Sequence, residues 1–257
     1  MVSPRGLITA LRTLTVLPVG GRDAERFPDA LFWFPVVGGI LGGMVWLLGV
    51  LWGRFVGADW AAGGAVMILW AEVVLTRALH LDGLADWADA LGGGRDPDAR
   101  LRIMKDPHLG AFGVVALVCV LLTKWVAWER LFSTGGLVLA LPIFIASRAV
   151  LVHLMEGLPP ARAGGGMAGP FLRDRVPGRG WLTPVLTLCL CLPFGPAGVG
   201  LYAVGLLMAR LLGLSFRKFF GGISGDLLGA TQELVETALL LLCASRVELL
   251  MKYAGWG

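Results

Sequence analysis

Residues 31–56 read LFWFPVVGGILGGMVWLLGVLWGRFV. Apart from Arg54 near its end, this run carries no charge and is longer than the roughly 20 residues a helix needs to cross a bilayer. Six further apolar stretches follow, at about Ala61–Leu79, Leu109–Trp128, Gly136–Met155, Trp181–Leu192, Ala197–Leu214 and Leu227–Ala244. The whole composition agrees with them: 56% of the 257 residues are hydrophobic, 16% are charged, and the mean hydropathy is +0.76. Soluble domains carry about 25% charged residues, so this chain lacks the polar surface of a water-soluble globule. No short alternating segments of the kind that build a membrane β-barrel are present. The expected fold is all-α: a single integral membrane domain, 1–257, with about seven transmembrane segments.

Ahead of the first span, Leu7, Ile8, Leu11 and Leu14 recur at helical spacing, which predicts a short interfacial helix. The first 30 residues combine four arginines with early prolines, so no cleavable signal peptide is expected. The fifth span is short and is interrupted by Pro184 and Pro193. Gly38, Gly39, Gly42 and Gly43 in the first span would let another helix approach closely. The four cysteines lie inside apolar blocks without metal-ligand spacing and read as packing residues.

Seven crossings from a cytoplasmic N-terminus place the basic residues unevenly. One side collects those of the N-terminus and of the loops after the second, fourth and sixth spans. The other collects only Arg54, Arg130, Arg246 and Lys252. That asymmetry is what the positive-inside rule expects. It puts two long loops on the cytoplasmic side: 80–108, expected to be catalytic, and 156–180, expected to be flexible.

The first of these loops holds Asp82, Asp86 and Asp89 at i, i+4 and i+7, within roughly a 60° arc of one helix face. Glu72 borders that arc if the helix runs back unbroken into the membrane. Like charges so placed repel, and a divalent cation removes the conflict. Magnesium suits the oxygen-only donors because it shares substrate phosphate oxygens and keeps its own waters. Gly92–Gly94 should end the helix, and Asp96-Pro97 should cap the next, which carries Arg100, Arg102 and Lys105. Asp106-Pro107 repeats the capping signal before the third span. A second acidic stretch, GGISGDLLGATQELVE (221–236), offers Ser224 as a cap and Asp226, Glu233 and Glu236 on one face. Glu233 and Glu236 fall inside an apolar segment, where a carboxylate needs a partner or a wet cavity. Arg77, Lys124, Arg148 and Arg210 are the plausible partners. Solvated helix ends, topology-setting cations and simple intramembrane ion pairs are the bland readings of these charges; one shared polar site is the sharper one.

The stretches LHLDGLADWADALGGGRDPDARLRIMKDPHLGAFG (79–113) and GGISGDLLGATQELVE resemble the cobalamin synthase family, adenosylcobinamide-GDP ribazoletransferases. ALRTLTVLPVG (10–20) and FPVVGGILGG (34–43) extend the likeness. Trp87 and Ser224 stand where threonine is common in that family, and the loop 156–180 is not closely matched. The resemblance implies transfer of the adenosylcobinamide phosphate group from adenosylcobinamide-GDP to α-ribazole or its 5′-phosphate, with GMP released, in a bacterial plasma (inner) membrane. In that reaction Asp82, Asp86 and Asp89 hold magnesium, and one of them, or Asp106 or Asp226, takes the hydroxyl proton. Arg102, Lys105, His108 and Glu233 contact substrate, while His80, on the opposite face, packs. The expected partners are the two substrates and the lipid bilayer; nothing points to nucleic acid, and a homo-oligomer stays open. The competing readings are a CDP-alcohol phosphotransferase, whose D-G-x-x-A-R pattern this chain lacks, a transporter using the intramembrane charges, and a structural scaffold.

Overall fold

Ser3 caps Pro4–Leu14 (α1) by accepting from the Arg5 N–H, and proline opens that helix at a position where its missing donor costs nothing. The computed structural model describes residues 3–162, 168–173 and 181–255. The helices that follow are Phe34–Trp52 (α2), Ala61–Thr76 (α3), Leu79–Gly93 (α4), Pro97–Ile103 (α5), Ala111–Ser133 (α6), Ala140–Gly157 (α7) and Gly169–Arg173 (α8). They continue with Leu182–Cys191 (α9), Gly195–Phe220 (α10), Gly225–Ser245 (α11) and Val247–Ala254 (α12). No strand occurs among the described residues; one isolated parallel bridge pairs Pro160 with Ile223.

Among the described residues, five segments are long and apolar enough to cross a membrane: 27–57, 111–133, 136–157, 182–220 and 225–245. α3 and α4 pass the same test only when taken together, and they are bent by 89°. The chain is therefore a multi-pass helical membrane protein with five such segments, or six if the bent pair counts as one. The expected seven treats α9 and α10 as separate crossings. By length and composition they form one apolar stretch, 182–220, but it breaks at Leu192–Phe194 and at Gly195, whose φ is 56°. Ile223 just after it pairs with Pro160 just before it, so the stretch leaves one end of the bundle and returns to it.

α7 is the centre of the bundle, buried along almost its whole length, and α2, α9, α10 and α11 pack on it. The glycines of α2 are what allow α7 so close. A methyl built on Gly42 lies 2.8 Å from the Ala140 carbonyl oxygen, and one on Gly38 lands on the Phe144 carbonyl. Backbone is thus the neighbour, and it cannot step aside as a flexible side chain would. Gly38→Ala is expected to cost about 1–3 kcal/mol by forcing α2 and α7 apart. A thermal melt in detergent unchanged from wild type would refute that.

Between α3 and α4 the chain turns through Arg77 and Ala78, both left-handed (φ 55° and 53°) though neither is glycine. Such backbone persists only where the surroundings over-determine it. Here the Arg77 guanidinium donates to the carbonyls of Arg12 and Thr15, and the Leu75 carbonyl accepts from the Val16 N–H. The end of α3 is thereby tied to the end of α1. The condition for Glu72 to border the aspartate arc, an unbroken helix, is therefore not met, and Glu72 does not share a face with the aspartates of α4.

Candidate active site at the α4 and α11 ends

α4 lies against α11 through two glycines. A methyl on Gly83 would sit 2.6 Å from the Asp226 carbonyl oxygen, and one on Gly229 would meet the His80 backbone at 3.2 Å. This contact brings the two acidic stretches together. Asp86 is within electrostatic reach of Asp82, Asp226 and Asp89, and Asp226 within reach of Asp82. Asp82 is exposed while Asp86, Asp89 and Asp226 are partly buried, so the cluster opens outward from the helix ends. Ser224 caps α11 as expected, accepting from the Leu227 N–H at 3.3 Å, and it also hydrogen-bonds Asp226.

The cation facing this cluster comes from the basic loop after the fourth span, where sequence marks it only as a topology-setting charge. Arg162 lies within electrostatic reach of Asp86 and Asp226, donates to the Leu101 carbonyl, and keeps a buried Nε with no partner among the described residues. It is delivered there by the bridge between residues 159–161 and Ile223. The Ala161 N–H donates to the Ile223 carbonyl and the Ile223 N–H to the Pro159 carbonyl, each at 2.8 Å. The rest of the expected flexible loop, 163–167 and 174–180 with Arg175 and Arg179, lies outside the described residues.

Asp89 faces two ways. Its carboxylate accepts from the N–H groups of Gly110 and Gly113, both at 2.8 Å, and so caps α6 from another helix. Any side chain at Gly110 or Gly113 would strike that carboxylate. Asp106 was expected to be the cap there and is not. Its Oδ1 meets His108 Nδ1 at 2.5 Å and accepts the His108 backbone N–H at 3.0 Å, which holds the exposed Asp106 carboxyl below the usual range. Asp96 does cap α5, accepting from the Ala99 N–H at 2.8 Å. Arg102, Lys105 and His108 are exposed around the α5–α6 connection, whereas Arg100 turns inward over the Phe219 ring.

Glu233 is placed elsewhere. Inside the bundle Lys124 Nζ stands 2.6 Å from Glu72 Oε2, 3.1 Å from Glu233 Oε2 and 2.5 Å from Glu236 Oε1. Arg148 pairs with the other oxygen of Glu236, Gln232 donates to that same oxygen, and the Trp128 indole donates to Glu72 at 2.7 Å. Of the four cations proposed as partners, Lys124 and Arg148 take that role. Glu233 thus joins a buried network of three carboxylates and two cations around a cavity of about 10 Å³, the size of a single water rather than of the expected substrate.

The donor set of the outer cluster bears on magnesium. Among the described residues no group of three or more Asp, Glu, His or Cys side chains is placed to hold a metal ion, the expected Asp82, Asp86 and Asp89 set included. Magnesium does not require such a group: it is commonly held by one or two carboxylates, its waters and substrate phosphates. Asp82 and Asp86, all-oxygen donors on one helix face with an open outer side, fit that requirement. Among the described residues, four carboxylates against one guanidinium also leave an excess of negative charge for a cation to neutralise.

The chain is thus a multi-pass helical membrane protein whose aspartates converge in one acidic site at adjoining helix ends. Comparison with known proteins narrows that description. Residues 6–244 match the family model described as cobalamin-5-phosphate synthase, and the chain belongs to that family. It is 44% identical to the adenosylcobinamide-GDP ribazoletransferase of Chlorobaculum parvum over 249 residues, covering 93% of this chain and 94% of the relative. The enzyme of the same name from Chlorobaculum tepidum is 44% identical, covering 93% and 94%. That from Ectopseudomonas mendocina is 38% identical, covering 95% and 99%. No solved structure matches the chain significantly.

Proposed function

We propose that this protein is a transferase that moves the adenosylcobinamide phosphate group from adenosylcobinamide-GDP onto α-ribazole or its 5′-phosphate and releases GMP. The observation that carries this reading is the meeting of Asp82 and Asp86 with Asp226 across the Gly83 contact. The two stretches that resemble the family most closely, far apart in the chain, form one acidic site.

In this reaction a ribose hydroxyl oxygen of the acceptor bonds to the phosphorus nearer cobinamide. The bond from that phosphorus to the bridging oxygen breaks, and GMP leaves with the electron pair. Magnesium, held by Asp82 and Asp86, would supply neutralisation of the pyrophosphate charge. Asp226 and Asp86 are the partly buried carboxylates beside the reacting groups, suited to take the hydroxyl proton. Arg162, with a free buried donor facing the same carboxylates, binds a phosphate oxygen, and exposed Arg102 and Lys105 add cations at the approach. Asp89 positions α6. The transfer takes place at the cytoplasmic face of a bacterial inner membrane, the side to which the basic loops assign this end of the bundle.

Protein reconstituted in lipid, given adenosylcobinamide-GDP and α-ribazole, is expected to release GMP only when both magnesium and the acceptor are present. Release without the metal would remove magnesium from this account, and no release from folded protein would remove the reaction itself.

A further inference from the structure

Next to the acidic site, on the opposite side of α4, lies a cavity of about 540 Å³. Its volume is that of a small-molecule site, within the roughly 300–1,000 Å³ such pockets occupy. Phe34 and Phe171 meet edge to face in its wall, with ring centroids 6.0 Å apart, and Leu151, Met155 and Leu228 complete an apolar lining. Gly225, the residue before Asp226, also lines it, so the cavity and the carboxylate cluster share a boundary.

Its polar features are few and distinct. His80 lies in the wall, 5% exposed, and its Nε2 is buried with no hydrogen-bond partner among the described residues. A buried polar atom left unpaired costs free energy, and a ligand atom in that position removes the cost. The two cations in the wall are already engaged. Arg12 binds Asp23 and the carbonyls of Val19 and Gly21, and Arg77 donates to the carbonyls of Arg12 and Thr15. The cavity therefore suits a neutral, planar, mostly apolar group with one in-plane hydrogen-bonding atom. A corrinoid with its ring of amides is too large and too polar for it.

We infer that this cavity binds the heteroaromatic base of the acceptor nucleoside, with His80 Nε2 facing a ring nitrogen. The inference rests on the reaction proposed above and adds where its second substrate sits. The base lies between α1, α7 and α11, and the ribose emerges past Gly225 toward Asp226 and Asp86. His80 contributes recognition of the base, and the aromatic pair supplies the stacking and apolar contact.

Steady-state GMP release tests it with two variants and two acceptors, α-ribazole and the corresponding indole riboside, which lacks the ring nitrogen. Met155→Trp, which fills the cavity, is expected to raise KM for α-ribazole at least tenfold and leave KM for adenosylcobinamide-GDP within twofold. In His80→Leu, the preference of the wild-type enzyme for α-ribazole over the indole riboside is expected to vanish, a change that a purely structural role for His80 would not produce. Unchanged acceptor KM in Met155→Trp, or a retained preference in His80→Leu, overturns the site while wild-type GMP release still supports the reaction. Loss of copurified phospholipid from Met155→Trp with acceptor KM unchanged would assign the cavity to an acyl chain instead. Should Met155→Trp fail to fold, the His80→Leu preference decides.

Discussion

Asp82→Asn is expected to reduce GMP release by about 100- to 1,000-fold, the range seen when one preorganised electrostatic contact to a developing charge is removed. The side chain is exposed, so the neutral amide disturbs no packing. Membrane insertion and melting temperature should match wild type, and the loss should fall on turnover. Asp82 is the outermost of the clustered carboxylates, the one best placed to meet a hydrated cation arriving with a pyrophosphate. Removing its charge also relieves Asp86 of a like-charged neighbour, so any stability change should be a small gain. Turnover close to wild type in the reconstituted variant would take Asp82 out of the site and weaken the case for the whole α4 face.

Lys124→Met is expected to have the largest effect on stability, about 3–5 kcal/mol, because it leaves buried carboxylates without their shared cation. Lys124 is 3% exposed and bridges Glu72, Glu233 and Glu236 from three directions. Arg148 would then face three carboxylates alone, all of them buried. Neutralising the acids in the same chain, as Lys124→Met with Glu72→Gln and Glu233→Gln, should restore much of the loss. Unfolding in mixed detergent micelles reads both steps. A Lys124→Met protein that melts with wild type would show that the network contributes nothing to the fold, and failure of the triple variant to recover would show that shape rather than charge is at stake.

Much of this architecture is written locally. The Asp82, Asp86 and Asp89 spacing, the Asp96 and Ser224 caps and the glycine stop after α4 follow from neighbouring residues, and the structure has each of them. The glycine face of α2 likewise meets another helix. What depends on distant parts of the chain was not legible. Arg77 and Ala78 carry no glycine or proline to announce a left-handed turn, and they hold it only because α1 supplies the carbonyls that Arg77 needs. Asp89 looks like a third metal ligand by spacing, yet it also caps α6, which nothing in its own helix discloses. Arg162 reaches the acidic cluster through an isolated parallel bridge between Pro160 and Ile223, a pairing with no periodic signal. Glu233 shares a helical face with Asp226, but a helix dipping into a bundle changes surroundings within two turns: one end meets the cluster and the other meets Lys124.

The seam between α4 and α11 has a mechanical consequence. Where Gly83 and Gly229 meet the facing helix, backbone lies against backbone, and at that point no compliant side chain stands between the two helices to absorb a relative shift. α4 and α11 therefore behave as a single stiff beam, whose outer end carries the aspartates and whose inner part is anchored by Lys124 and Arg148. Displacement that admits a bulky substrate has to come from the opposite side, where residues 159–162 are attached by individual hydrogen bonds to Ile223 and Leu101. The aspartate face stays still while its surroundings open.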